Sequence, residues 1–183
     1  MISLRKINGI LVVIIILLLL NHAILSALFL YGVIDYSPSF KITGRRLFYP
    51  VVAHIIISLY LFIKDRRKNV RRYSDLISET NQQMVTGIGI VVFVSLHIIS
   101  YMFPPANFYY DFGRGLVQVI IDGMMFTSIC LHLRVSIPRL LVSFGMLESK
   151  NAYSNFKRKF NIVILVILVI LIFADIVRFG VLM

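Results

Sequence analysis

The sequence predicts an all-α integral membrane protein with five transmembrane helices, four in a bundle and one extra. The 183 residues are 59% hydrophobic. Five apolar stretches reach the ~20 residues that a helix needs to cross a bilayer. Each of the first four stretches carries one histidine, and the fifth carries none. Because little chain remains between the stretches, we expect a single transmembrane domain over residues 1–183.

The five predicted spans cover residues 7–31, 46–64, 84–103, 115–134 and 160–180. The first is long for a signal peptide and lacks a small-residue cleavage site, so we expect a retained helix. The second has Pro50 near its start and ends at the basic run 64–68. Pro104 and the residue after it, also proline, end the third. The fourth is expected to continue beyond residue 134 and to bend at Pro138.

The distribution of positive charge predicts the orientation in the membrane. The net charge is +11, and 14 of the 19 Lys and Arg residues lie in segments 1–6, 64–82 and 134–160. The positive-inside rule then places the N-terminus in the cytoplasm and the C-terminus outside the plasma membrane. The basic run 64–68 is interpreted as a topology and lipid-surface signal rather than a nucleic-acid site. A docking surface for a partner subunit is its alternative role.

Several kinds of catalytic and metal site are excluded. Cys130 is the single cysteine, so the chain forms no internal disulfide, cysteine-rich zinc site or iron–sulfur site. No nucleophile elbow, zinc-protease motif, phosphate-binding loop or dinucleotide fingerprint occurs. We therefore expect no catalytic site for a soluble substrate in this chain, and any such chemistry would belong to a partner.

Four histidines, one in each of the first four spans, are the strongest functional feature: His22, His54, His97 and His132. Ionisable residues inside membrane spans are costly, face the bundle interior and are usually functional. One histidine per helix is the pattern expected of haem iron held by two axial imidazoles. The sequence predicts that these four are the axial ligands of haem b, with two haems or one. For each histidine alone, the alternative is a hydrogen bond to neighbouring backbone.

Helix geometry predicts which histidines pair at the outer side. His22 lies roughly 24 Å beyond Lys6, at 1.5 Å per residue. His97 lies roughly 21 Å beyond Gln83 on the same scale. Because these depths agree, His22 and His97 are predicted to hold an outer haem.

A second pairing depends on how far the fourth helix continues. His54 lies roughly 15 Å before Lys64. His132 is seven residues before Arg139, or roughly 10 Å, provided that the helix continues that far. On that condition, His54 and His132 are predicted to hold an inner haem.

Small and basic residues are predicted to surround the haems. Ser58 and Ser136 each follow a histidine by four residues and share its helix face. Such a residue could leave room for the macrocycle or hydrogen-bond the ring nitrogen that does not bind iron; the alternative is an ordinary helix–helix contact. Five arginines are predicted to pair with haem propionates, Arg45, Arg46 and Arg114 on the outer side and Arg134 and Arg139 on the inner side. Interfacial snorkelling is their alternative.

Two acidic residues lie within the spans, Asp122 and Asp175. Asp122 is expected to make a helix-to-helix hydrogen bond, with a proton path or quinol contact as alternatives. Asp175 is expected to pair with Arg178 or to lie near the membrane interface. A non-haem scaffold subunit or a small proton-coupled transporter is the competing functional class. Transporters more often show broken helices and midplane carboxylates, which only Asp122 approaches.

Two short motifs mark the second half of the chain. Thr86-Gly87 opens a span that reaches His97, and His132-Leu133-Arg134-Val135-Ser136-Ile137-Pro138-Arg139 leads to Phe144-Gly145. Together they resemble the cytochrome b membrane-anchor subunits of succinate dehydrogenase and fumarate reductase. In the corresponding family segment, the first histidine is a haem ligand. Here serine replaces the family's glycine, and the second histidine of that segment is missing.

The resemblance implies both a ligand pairing and a function. In the five-helix, di-haem branch, the first and third ligand helices share one haem, and the second and fourth share the other. That branch has its unliganded helix in mid-chain, whereas here it is last. Small cytochromes that accompany flavin-bearing reductases are similar at the end of the second span. The implied function is electron transfer between membrane quinone or quinol and flavoprotein and iron–sulfur subunits, or another redox partner.

Overall fold

The computed structural model describes residues 3–35, 37–67, 74–102 and 112–181, and their side chains except at 65–67, 74–77, 112–114 and 180–181. The described chain is helical, with turns and no strand. It contains five long helices, α1 (Leu4–Leu30), α2 (Ser39–Arg67), α3 (Ser74–Met102), α4 (Phe112–Ser143) and α5 (Lys150–Ile176). A short π-helix, Val177–Val181, continues directly from α5.

All five helices are long and apolar enough to cross a membrane. The candidate spans are Leu4–Leu30, Ser39–Lys64, Ser78–Met102, Gly115–Ser143 and Lys150–Phe179. The predicted all-α class and the five spans are therefore confirmed. All five helices begin before their predicted spans, and the largest differences are at α2, α3 and α5, which begin at Ser39, Ser74 and Lys150. Their polar first turns still form helix, and Ser149 caps α5 by accepting from the Ala152 amide at 3.1 Å.

The chain forms two compact units, Met1–Arg72 and Tyr73–Met183. The N-terminal unit is the antiparallel pair α1 and α2. In the C-terminal unit, α4 packs against both α3 and α5, and it also contacts the π-helix. The predicted single domain over 1–183 stays a prediction.

The fourth helix continues beyond Arg139, as the predicted pairing of His54 with His132 requires. It continues through the buried Pro138 to Ser143, so His132 and Arg139 lie on one helix. It then ends in a Schellman motif, in which the Met146 amide donates to the Leu141 carbonyl at 2.9 Å. Gly145 makes this turn with a φ of 74°, a conformation that other residues rarely adopt.

Candidate functional site

In the N-terminal unit, His22 of α1 contacts the first turns of α2. Its Nδ1 lies 3.0 Å from Thr43 Oγ1. The same hydroxyl donates to the Phe40 carbonyl at 2.8 Å. Because a hydroxyl has one hydrogen to donate, Thr43 accepts the Nδ1–H of His22. This assigns the ring proton to Nδ1 and makes Nε2 the nitrogen with the lone pair.

A glycine allows the two helices to approach at this contact. A methyl group at Gly44 would lie 3.3 Å from His22 Cε1, which is closer than most side-chain contacts. The imidazole ring therefore packs over the glycine backbone while Thr43, the preceding residue, holds Nδ1. A larger residue at position 44 would have to displace the ring.

His54 of α2 is held by an amide on α1. Its Nδ1 lies 3.0 Å from Asn8 Oδ1. The Asn8 amide nitrogen donates to Ser58 Oγ at 3.2 Å, which fixes the orientation of the amide. Asn8 Oδ1 is thus the acceptor for the Nδ1–H of His54. Ser58 lies beside the ring, with its hydroxyl 3.4 Å from Nδ1.

The C-terminal unit contains a second histidine–threonine contact like that of His22 and Thr43. Here the threonine lies on the earlier helix of the pair and the histidine on the later one. Nδ1 of His132, on α4, lies 3.1 Å from Thr86 Oγ1 on α3. The Thr86 hydroxyl donates to the Gln82 carbonyl at 2.7 Å, so it too accepts from the imidazole. A methyl group at Gly87 would lie 3.7 Å from His132 Cε1, an ordinary van der Waals distance.

His97 of α3 is held by a carboxylate on α4. Its Nδ1 lies 2.7 Å from Asp122 Oδ1, and the Asp122 side chain is 2% exposed. The other carboxylate oxygen accepts from Gln118 Nε2 at 2.8 Å and from the Tyr101 hydroxyl at 3.3 Å. The predicted helix-to-helix hydrogen bond of Asp122 is confirmed, and its partner is one of the four histidines.

The same short motif positions these contacts in both units. Thr43-Gly44 precedes His54 by eleven residues, counted from the threonine, and Thr86-Gly87 precedes His97 by the same number. At 1.5 Å per residue, threonine and histidine are about 16 Å apart along the helix. Each motif therefore places a threonine and a histidine of one helix at two defined depths.

The neighbouring helix adds a histidine at the threonine of each motif. We call this depth the Thr level, occupied by His22 in the N-terminal unit and His132 in the C-terminal unit. We call the other depth the Asx level, occupied by His54 and His97 with their Asn or Asp partners. Both units thus hold two imidazoles about 16 Å apart along the helices, too far to share one iron within a unit.

The donor chemistry of the four histidines fits haem ligation. All four have an inter-helix contact at Nδ1, and all four rings are partly exposed. A hydrogen bond at Nδ1 fixes the tautomer and the orientation of a histidine that binds metal through Nε2. The haem would thus be held by a neutral imidazole nitrogen from each ligand, as in bis-histidine cytochromes.

Other predicted haem contacts already have protein partners. Arg139 Nη1 donates to Gln83 Oε1 at 2.6 Å and lies 3.3 Å from Thr80 Oγ1. The Gln83 amide donates in turn to Ser136 Oγ at 2.9 Å. Arg139 and Ser136 therefore tie α4 to α3, and their predicted contacts with haem stay predictions.

The remaining predicted arginines differ in what is described of them. Arg45, Arg46 and Arg134 have exposed side chains. The side chain of Arg114 lies outside the described part of the chain. The propionate contacts predicted for these four arginines stay predictions.

Asp175 departs from its predicted environment. It is fully buried, and neither carboxylate oxygen has a hydrogen-bond partner among the described residues. Asp175 therefore makes no hydrogen bond with Arg178, and the alternative location near the membrane interface stays a prediction. An ionised carboxylate without a partner is costly in such a place.

Within the described residues, no three His, Cys, Asp or Glu side chains cluster closely enough to hold a metal ion. No protein-family model, curated protein or solved structure matches this chain. The resemblance to the succinate dehydrogenase and fumarate reductase anchors therefore stays a prediction.

Two of the histidine partners, Asn8 and Thr43, were not predicted from the sequence. A usable pattern was present, because the Thr-Gly pair and the histidine eleven residues after its threonine occur twice. The pattern becomes informative only when antiparallel packing places the threonine of one helix beside the histidine of its neighbour.

Proposed function

We propose that this protein is a b-type cytochrome subunit of the plasma membrane. It carries electrons between membrane quinone or quinol and a redox partner. That partner is a complex of flavoprotein and iron–sulfur subunits, or another reductase. The single observation that carries the proposal is the equal spacing of two histidine levels in both units, with all four rings held at Nδ1. Two such units supply the ligands for two bis-histidine haems.

The proposed haem ligands keep the pairing that was predicted from the sequence. The pairs are His22 with His97 and His54 with His132, because histidines of the same unit lie too far apart along the helices. The depths of these histidines in the membrane, estimated from their positions along the predicted spans, support the same pairs. In this assignment each haem has one ligand from a Thr level and one from an Asx level.

The protein residues have three roles in this function. Thr43, Thr86, Asn8 and Asp122 hold the imidazoles at Nδ1, so that each ring enters the haem site in one orientation and one tautomer. The bound haem supplies a one-electron carrier at each of the two depths. Apolar helices exclude water around them, and arginines at both predicted faces are available to neutralise propionates.

The experiment that tests this function is a spectroscopic count of haem. The protein is purified in detergent after expression with an ample haem supply. A reduced-minus-oxidised absorption spectrum is recorded, and haem is quantified as its pyridine complex. Sharp bands of low-spin haem b, with two haems per chain, are expected. A colourless protein that is folded and helical would contradict the proposal.

A proton-coupled transporter is the second candidate, and it rests on a specific observation. The C-terminal unit contains a histidine–carboxylate contact, His97 with Asp122, and a fully buried acid without a partner, Asp175. Intramembrane carboxylates and histidines of this kind form proton relays in transporters. A colourless protein whose reconstituted vesicles carry protons, and lose that activity in Asp175→Asn, would favour this function.

A further inference from the structure

The two Asx levels differ in one chemical respect, the charge of the group that holds the histidine. Asn8 presents a neutral amide oxygen to His54 at 3.0 Å. Asp122 presents a carboxylate oxygen to His97 at 2.7 Å. The two Thr levels, in contrast, both use a neutral hydroxyl. A charge difference between the four histidine contacts therefore arises at Asp122.

Both carboxylate oxygens of Asp122 have hydrogen-bond partners. Its Oδ2 accepts hydrogen bonds from the Gln118 amide and the Tyr101 hydroxyl, while Oδ1 accepts from His97. Hydrogen bonds to an ionised acceptor are shorter and stronger than those to a neutral one. With 2% of its side chain exposed, Asp122 is also screened little by water.

A carboxylate at Nδ1 would change the reduction potential of an iron bound at Nε2. It raises the basicity of the imidazole and adds negative charge close to the metal. Both effects stabilise ferric iron relative to ferrous iron, so they lower the reduction potential; hydrogen bonding around the ligands is one of the protein's means of setting that potential. A neutral amide or hydroxyl at Nδ1 has a smaller effect in the same direction.

We propose that Asp122 would give a haem held by His97 a lower reduction potential than a haem held by His54, because a carboxylate contacts Nδ1 of His97 and an amide oxygen contacts Nδ1 of His54. This inference rests on the proposed cytochrome function. Asp122 acts through His97 and is a positioning residue. Its counterpart in the other unit is Asn8, which contacts Nδ1 of His54 with a neutral amide oxygen.

A reciprocal charge exchange tests the inference. Asp122→Asn removes the carboxylate from one unit, and Asn8→Asp introduces one in the other. Spectroscopic redox titration of each purified variant measures the reduction potential of both haems. We expect Asp122→Asn to raise the reduction potential of the lower-potential haem. The expected change is about tenfold in the equilibrium constant for reduction, or 59 mV for a one-electron couple. Asn8→Asp is expected to shift the other haem by a similar factor in the opposite direction.

Two further variants separate charge from structure. The double variant is expected to reverse the order of the two haems. Asp122→Glu keeps the charge and is expected to retain the low potential, which a purely structural role for Asp122 does not require. If Asp122→Asn loses its haem, Asn8→Asp decides the question, because it adds charge without removing a partner.

The outcomes distinguish this inference from the function on which it rests. A wild-type protein without haem contradicts the proposed cytochrome. A wild-type protein with two haems, neither of which changes potential in Asp122→Asn or Asn8→Asp, overturns the inference and leaves the cytochrome intact. The inference is also overturned if Asn8→Asp raises the potential of its haem.

Discussion

The two units resemble each other at the Thr level and differ at the Asx level. At the Thr level, a threonine hydroxyl accepts from the imidazole and a glycine lies beneath the ring in both units. At the Asx level, the N-terminal unit uses an amide and the C-terminal unit a buried carboxylate. In the proposed cytochrome, the Thr level would position a ligand and the Asx level would adjust its electronic properties.

The largest expected effect comes from removing the hydroxyl at the Thr level. Thr43→Val and Thr86→Val keep the shape of the side chain but leave the Nδ1–H of the adjacent histidine without its acceptor. Outer-shell partners of metal-bound histidines typically contribute 10–100-fold to metal affinity or activity. We expect each variant to weaken the binding of one haem by roughly that factor, measured by haem retention during dilution or competition with apomyoglobin.

Thr127→Val is the matched control for both threonine variants. The Thr127 hydroxyl donates to the Gly123 carbonyl within its own helix, at 2.7 Å. We expect Thr127→Val to retain both haems. If Thr43→Val and Thr86→Val behave like this control, the two Thr levels do not hold haem ligands through their hydroxyls.

A smaller and unequal effect is expected from the two glycines. At Gly44 an added methyl group would lie 3.3 Å from the His22 ring, whereas at Gly87 it would lie 3.7 Å from the His132 ring. Gly44→Ala is therefore expected to rotate or displace His22 and to alter the electron paramagnetic resonance spectrum of its haem. Gly87→Ala is expected to leave the spectrum unchanged. Equal changes in both variants would show that the two Thr levels do not differ in packing as described.

The smallest expected effect concerns the two buried acids of the C-terminal unit. Asp175→Leu removes a buried carboxyl that has no partner, a group that costs about 1–3 kcal/mol. We expect this variant to denature at a higher temperature than the wild type. Asp122→Leu, which leaves His97 and Gln118 without their acceptor, is expected to denature at a lower temperature. If Asp175→Leu instead denatures at a lower temperature than the wild type, the prediction is wrong, and Asp175 stabilises the fold through an interaction other than a hydrogen bond.

The sequence predicted the spans and the ligand candidates because both follow from strong local patterns. Five long apolar stretches leave no other way to satisfy backbone hydrogen bonds in a bilayer. The four histidines are conspicuous because ionisable side chains are rare within such stretches. The helix starts at Ser39, Ser74 and Lys150 lie before the predicted spans because these polar first turns lie outside the apolar patterns.

Residue partners were harder to predict because they depend on register between helices. Asn8 reaches His54, and Thr43 reaches His22, only in the register at which α1 and α2 pack. Composition does not specify that register. The relative position of Asp175 and Arg178 depends on the helix type at the end of α5, which the sequence does not specify. The chain changes to a π-helix at Val177, so residues three apart no longer lie one turn above each other.

The most direct test of the two proposed haems is a set of four variants that replace each histidine with alanine. Haem per chain and the spectrum of the haem that remains are measured in each. His22→Ala and His97→Ala are expected to lose the same haem, and His54→Ala and His132→Ala the other. The proposed pairing is contradicted if the losses group by unit, with His22 and His54 behaving alike, or if all four variants retain two haems.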